Sequence, residues 1–261
     1  MPGASPAPWQ AHWQELVRCL TLVPAERGEQ QLIDRLAQPA QPTVLAFVNA
    51  HAMNSVVDSR PFYEAVRAAD LILRDGIGMA ILLRLMNLVP GLNLNGTDLI
   101  PKLLRRYDGQ GIALFGTQDP YLSRARDALA ERIAPASACV TAHGFLETAE
   151  YVRLAAEHRP ALIVLGMGMP RQEEVAGVLR AALGYPCLIV CGGAIIDFIG
   201  GKTSRAPRLV QLVGLEWAFR LAQEPRRLFR RYVIGNPLFL ARAVQLAAVS
   251  PPPGPRAPVD Q

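Results

Sequence analysis

A chain of 261 residues, 51% hydrophobic and 19% charged, is long enough to bury a sizeable core in one large domain or one domain with an appendage. No apolar run reaches the ~20 residues that span a bilayer, and the opening MPGASPAPWQ lacks the basic start and apolar core of a secretory signal, so a cytosolic protein without a transmembrane anchor is expected. The net charge of +5 is unevenly placed: from Lys202 onward ten Lys and Arg face three Asp and Glu, leaving the first 201 residues slightly acidic. Such asymmetry points to an acidic partner: phosphate, an anionic membrane face or nucleic acid.

The four cysteines, Cys19, Cys139, Cys187 and Cys191, form no Cys-x-x-Cys pair and have no histidine at ligand spacing, so they read as free thiols with no metal site. Residues 1–40 are expected to be a helical leader, with helices near His12 to Leu20 and Gly28 to Leu36. The β-rich run TVLAFV, Thr43 to Val48, reads as a buried parallel strand that delivers Asn49 and His51 to a polar loop. Asp58-Ser59-Arg60-Pro61 opens a helix to about Ala68. A short strand from Asp70 then leads into Asp75-Gly76-Ile77-Gly78 at the mouth of another helix, Met79 to Leu85. A carboxylate followed by two glycines at a strand-to-helix turn can approach a ligand closely, which makes Asp75 the first candidate for chemistry. The third glycine of a dinucleotide fingerprint is missing, which excludes a classical nicotinamide or flavin site. Asn95-Gly96-Thr97-Asp98 precedes a helix and reads either as a good cap or as an anion site made of free N–H groups.

The second half repeats strand, glycine turn and helix. Ile112 to Gly116, Ala161 to Gly166 and Cys187 to Gly192-Gly193 are apolar strands ending in glycine, separated by helices from Tyr121 to Ile133 and from about Arg171. The pattern predicts an α/β fold, a Rossmann-like parallel sheet between helices, with Gly116, Gly166 and Gly192 along one edge where ligands bind. Gln172 and Glu173 stand at the first turn of a helix whose strand is fully apolar; Glu173 fits a capping role, whereas Gln172 points to a pocket. Residues 41–201 are the expected catalytic core. From 202 to 240 comes a basic helical appendage: Val210, Val213, Trp217 and Leu221 recur at helical spacing, with Arg220, Arg227 and Arg230 placed to meet phosphate through their planar forks. Residues 241–261 are expected to form a Pro-rich, disordered tail.

Several of these motifs occur together, in order: Asn49-Ala50-His51, Asp75-Gly76-Ile77-Gly78, Gly96-Thr97-Asp98-Leu99, Pro170-Arg171-Gln172-Glu173, Gly193-Ala194-Ile195-Ile196-Asp197-Phe198, Arg205-Ala206-Pro207, Gly214-Leu215-Glu216-Trp217 and Arg230-Arg231-Tyr232. The set, spanning about residues 43 to 240, resembles the WecG/TagA/CpsF glycosyltransferases. That resemblance implies inverting transfer of a sugar, N-acetylmannosamine or a related hexose, from UDP to a polyprenyl-diphosphate-linked saccharide at the inner face of the bacterial membrane. It implies Asp75 as general base, Gln172 in the substrate pocket, and Arg220, Arg227 and Arg230 closing over the diphosphate at the membrane. No cofactor is implied. The sequence also lacks an Asp-x-Asp pair for holding a metal against the leaving group, so arginines and helix N-termini are expected to serve instead.

One departure bears on the donor. Many members carry a threonine two residues before the asparagine that matches Asn49, and here Phe47 replaces it, with His51, Asn54 or Asn95 left to supply polar contacts. The Asn-Ala-His form is closer to exopolysaccharide members than to teichoic acid ones. A non-catalytic basic module gripping membrane or nucleic acid is the rival reading; polar residues spent on strand ends disfavour it, and no nucleic-acid partner is expected. Apolar Val and Trp positions of the appendage, uncovered away from lipid, leave room for a homo-oligomer.

Overall fold

The computed structural model describes residues 7–212 and 214–249. The elements follow in the order α1 (Pro8–Cys19), α2 (Glu26–Leu36), β1 (Thr43–Val48), α3 (Ala50–Asp58), α4 (Arg60–Arg67), β2 (Leu71–Arg74), α5 (Ile77–Leu85) and α6 (Gly96–Arg106). Next come β3 (Ile112–Gly116), α7 (Tyr121–Ala128) with a π-helical turn at Leu129–Ile133, β4 (Cys139–Ala142), α8 (Thr148–His158), β5 (Leu162–Gly166), α9 (Arg171–Ala182), β6 (Leu188–Cys191) and α10 (Ile195–Ile199). The C-terminal region comprises α11 (Arg208–Leu212), α12 (Glu216–Gln223), α13 (Pro225–Phe229), a second π-helical turn at Arg230–Ile234, and α14 (Gly235–Val249).

All six strands are parallel, in the order β2-β1-β6-β5-β3-β4. Because strand side chains alternate, near-continuous apolar runs supply two buried faces at once. Leu45, Phe47, Leu114, Val164 and Val190 meet α2, α6 and α7 on one face. On the other, Phe115, Ile163, Leu165 and Ile189 meet α8 and α9, while Val48 and Ile72 meet α1, α3, α4, α5 and α14. The expected Rossmann-like parallel sheet between helices is therefore present.

Four points differ from the expectations. The polar loop expected after β1 is helix α3, which starts at once because the Asn49 carboxamide oxygen accepts the Ala52 N–H at 3.1 Å, a side-chain N-cap. Strand β4 and helix α8 were not foreseen: β4 is an edge strand of four residues with only Ala142 buried, and α8 buries only Tyr151 and Ala155, so neither carries strong periodicity. The expected boundaries also shift, since residues 241–249 belong to a packed helix; only the last part of the expected disordered tail, 250–261, lies outside the described residues. The expected helical repeat through Val210, Val213, Trp217 and Leu221 is interrupted at Gly214, whose φ of 73° is left-handed, and Val213 itself lies outside the described residues.

Helices α1 and α14 both join the core. Trp13 of α1 is fully buried and donates its indole N–H to the Met53 carbonyl at 2.6 Å, so the described part of the helical leader packs on the core. Phe239 of α14 is 1% exposed and packs on Trp13 with ring centroids 5.2 Å apart. A Cβ at Gly78 would stand 3.3 Å from both Phe239 and Ala50, which explains that glycine of the Asp75 motif as the point where α5 meets α14 and α3. The Asn54 amide donates to the Gly235 carbonyl at 2.7 Å, and its oxygen accepts from Arg242 at 3.0 Å, so the polar group buried at this seam is satisfied. Phe239→Ala is expected to cost about 3–5 kcal/mol in urea unfolding; an unchanged midpoint and slope would show that α14 adds nothing to the core.

Candidate active site

A cavity of about 810 Å³ opens at the carboxyl ends of β1, β2, β3, β5 and β6 and is roofed by the C-terminal region. The place is the one a parallel sheet dictates, since strand ends and helix starts there present glycine turns and free N–H groups to a ligand.

Asp75 follows β2 and is held from several sides. Its N–H donates to the Val48 carbonyl at 2.8 Å, and the Asn49 amide donates to its Oδ2 at 3.3 Å. Gly76, at φ 86°, makes the left-handed turn into α5 and donates its N–H to Asn93 Oδ1 at 2.9 Å. Arg74 is buried beneath this turn and donates to Pro90 O at 2.7 Å, Gly91 O at 2.6 Å and Asn93 Oδ1 at 3.2 Å. The carboxylate thus projects into the cavity from a braced backbone.

His51, in the first turn of α3, also lines the cavity. Burial and then the nearby Arg231 guanidinium lower its pKa to about 4, so it is a neutral imidazole at physiological pH. A neutral ring both accepts and donates, which suits hydroxyl groups. Gly96 and Thr97 face the cavity at the start of α6, but Asn95 and Asp98 do not line it. Asn95 is the N-cap, its oxygen accepting the Asp98 N–H at 3.0 Å and its amide donating to Asp98 Oδ2 at 2.7 Å, while Asp98 pairs with Arg205 at 2.5 Å. Of the two readings of that motif, the cap accounts for both residues.

Gly166, Gly192 and Gly193 line the floor with Gln172. Gly116 does not line it, because the Gly166 backbone lies against its α-carbon, 2.4 Å from where a Cβ would stand. Its glycine serves the close approach of β3 and β5. The Gln172 side chain is occupied within the protein: its oxygen accepts the Gly193 N–H at 2.9 Å and its amide donates to Glu173 Oε1 at 2.8 Å. Glu173 is 3% exposed and turned inward, and burial raises its pKa to about 7 against the lowering effect of the Gln172 hydrogen bond.

The roof is cationic. Arg220, Arg227 and Arg230 all line the cavity, with Arg231 beside them. Arg220 lies over the Phe198 ring at 5.1 Å, and Arg227 is ion-paired with Glu224. Arg231 stands in the Arg230-Arg231-Tyr232 motif but has no site role in the sequence reading; its Nε is buried without a partner among the described residues, and burial lowers its pKa. Arg231 lines the cavity although this Nε is itself buried, so its guanidinium is a desolvated cation beside a space that an anion could enter. Next to Phe198, Asp197 accepts from Thr117 and from Lys202, the latter at 3.2 Å; all three line the cavity, and none has a site role in the sequence reading. Among the described residues no three His, Cys, Asp or Glu side chains gather in metal-holding geometry.

A cavity with Asp75 braced by Asn49, Asp197 held by Thr117 and Lys202, Asp58, neutral polar groups and a guanidinium roof offers proton acceptors and a cationic seat for a polyanion together. Residues 19–250 match the profile described as the glycosyl transferase WecG/TagA/CpsF family, in agreement with the motifs in the sequence. The chain belongs to that family, whose glycosyltransferases serve cell-surface polysaccharide synthesis with a sugar donor and a saccharide acceptor.

Proposed function

We propose that this protein is an inverting, metal-independent glycosyltransferase that moves a hexose, N-acetylmannosamine or a relative, from UDP to a polyprenyl-diphosphate-linked saccharide at the inner face of the bacterial membrane. One observation carries it: Asp75 and the arginines of the C-terminal region line the same cavity. In the transfer, an acceptor oxygen forms a bond to the anomeric carbon from the face opposite the diphosphate, the bond from that carbon to the diphosphate oxygen breaks, and the acceptor proton passes to Asp75. The negative charge that grows on the departing diphosphate is met by Arg220, Arg227, Arg230 and Arg231, with the N-terminus of α6 as a further source of positive potential. Guanidinium forks hydrogen-bond phosphate oxygens in pairs, so this set supplies charge and geometry together. Asn49 keeps Asp75 oriented, and neutral His51 is suited to a sugar hydroxyl.

The same region supports a peripheral membrane location. Phe229, Val233, Ile234, Leu240 and Val244 are exposed along Pro225–Val249, a helical stretch long and apolar enough by length and composition to cross a bilayer, yet anchored to the core by Phe239, Ala243 and Leu246. Exposed apolar groups beside Arg226, Arg227 and Arg230 suit the headgroup region of an anionic leaflet.

Asp75→Asn is expected to lower kcat by about 10²–10⁴-fold while leaving UDP affinity within about twofold; turnover near wild type would remove Asp75 as the base. Arg230→Gln and Arg231→Gln are each expected to weaken UDP binding by about tenfold to a hundredfold, the usual size of a lost charged hydrogen bond, with Lys restoring only part of it. Unchanged affinity in titration calorimetry would take the diphosphate away from the roof. Phe229→Asp with Val233→Asp is expected to abolish sedimentation with anionic vesicles, and undiminished sedimentation would place the membrane contact elsewhere.

A further inference from the structure

Glu173 is a charged residue type with 3% exposure and no ion pair, one residue from a cavity it does not itself line. Its Oε1 accepts from the Gln172 amide, whereas its Oε2 is buried with no hydrogen-bond partner among the described residues. Such a group is costly to bury, so its retention calls for an explanation in the hydrogen bonds it does make. The explanation lies one residue away. A backbone N–H can only donate, so the Gly193 N–H, 2.9 Å away, fixes which end of the Gln172 carboxamide is oxygen. The nitrogen must then face Glu173, where Oε1 stands 2.8 Å off. One amide proton is used there, and no described residue accepts the other. Gln172 lines the cavity and Gly193, at φ 60°, carries the turn between β6 and α10 along its floor.

We propose that Glu173 is a positioning residue for sugar transfer: acting through Gln172, it fixes the Gly192-Gly193 turn and directs the remaining Gln172 amide proton to the bound sugar nucleotide. The proposal rests on the sugar-transfer reading for its ligand, but the brace itself exists without one. Protonation sets its quality. Burial favours the neutral acid and the Gln172 hydrogen bond favours the ionised one, so ionisation tightens Oε1's hold on the Gln172 amide while leaving Oε2 as an uncompensated buried charge that draws in water. Burial places that change at about 7. The titratable groups acting on it are Glu174 on its own helix and the Cys191 thiol of β6; β1, β5, α4 and α8, which also pack on α9, give it no ion pair or hydrogen bond among the described residues. The sign follows. With its folded-state pKa raised from 4.5 to about 7, the folded chain holds this proton more tightly than the unfolded chain, so stability falls as pH rises from about 4.5 to 7 and is level above that.

The test compares wild type with Glu173→Met, which keeps volume but cannot accept, and Glu173→Gln, which accepts but cannot ionise. Amide exchange at Gly193, read by NMR on the ligand-free protein, is expected to quicken in the Met variant and to return toward wild type in the Gln variant. Donor KM is expected to rise about fivefold to tenfold in the Met variant with a smaller change in kcat, and to be largely recovered by Gln. In wild type donor KM should change as pH passes 7, and in Glu173→Gln it should stay flat. Unchanged Gly193 exchange in the Met variant, or a Gln variant no better than Met, would overturn the proposal. Should the Met variant fail to fold, the pH profiles of wild type and Glu173→Gln decide it: parallel profiles overturn it, and a flattened Gln profile supports it. If no sugar nucleotide is turned over at all, the sugar-transfer reading falls, while Gly193 exchange still judges the brace.

Discussion

The seating of Phe239 against Gly78 and Trp13 holds the molecule's two chemistries together. The sheet alone would present Asp75 at an open edge, and the arginine-rich segment alone would be a solvated basic stretch. Because α14 is fixed to α3 and α5 by an aromatic side chain 1% exposed, and because Asn54 ties Gly235 and Arg242 to α3, the segment before α14 must cross the mouth of the sheet. Arg220, Arg227, Arg230 and Arg231 then line the same cavity as Asp75. Hydrophobic packing of α14 thereby places the arginines of the segment that precedes it.

The charge distribution follows the same logic. Within the cavity Asp58 and Asp75 stand near α3 with His51, which burial and the Arg231 guanidinium hold uncharged, while the roof concentrates positive charge and leaves the Arg231 Nε without a partner among the described residues. Desolvated cations facing an open cavity strengthen any anion that enters, because fewer waters compete. Exposed pairs elsewhere, such as Arg60 with Glu64 and Arg153 with Glu157, are worth little beside this arrangement.

Much of this was legible in the sequence, for physical reasons. Apolar runs ending in glycine announce buried parallel strands, and the Asp75-Gly76-Ile77-Gly78 turn could be placed at a strand end because it follows such a run. The motifs carried the family. Other features were hidden. Edge strand β4 and helix α8 bury too few residues to show a period, and Asn49 conceals a helix start because one side chain serves both as cap and as partner to Asp75. Of the residues expected in the pocket, Asn95, Asp98 and Gly116 turned out to serve capping and close strand packing, roles that produce the same residue types at the same strand ends. Arg231 and Asp197 stand in motifs and Lys202 opens the basic segment, but their place in the cavity depends on how far the C-terminal segment folds back, which local spacing does not encode. Residues 241–249 were assigned to a disordered tail although Ala243 and Leu246 are core positions, since the Pro-rich run beyond them dominates the local composition.

The most direct measurement of the central claim is a donor screen with purified full-length protein and a polyprenyl-diphosphate sugar mimic in anionic vesicles. A panel of UDP- and GDP-sugars would be offered with EDTA present throughout, and released nucleoside diphosphate would be read together with the anomeric configuration of the product. The account predicts release from a UDP-hexose that depends on the acceptor, is indifferent to EDTA and gives an inverted product. Release only after a divalent metal is restored, or a product with retained configuration, would contradict it.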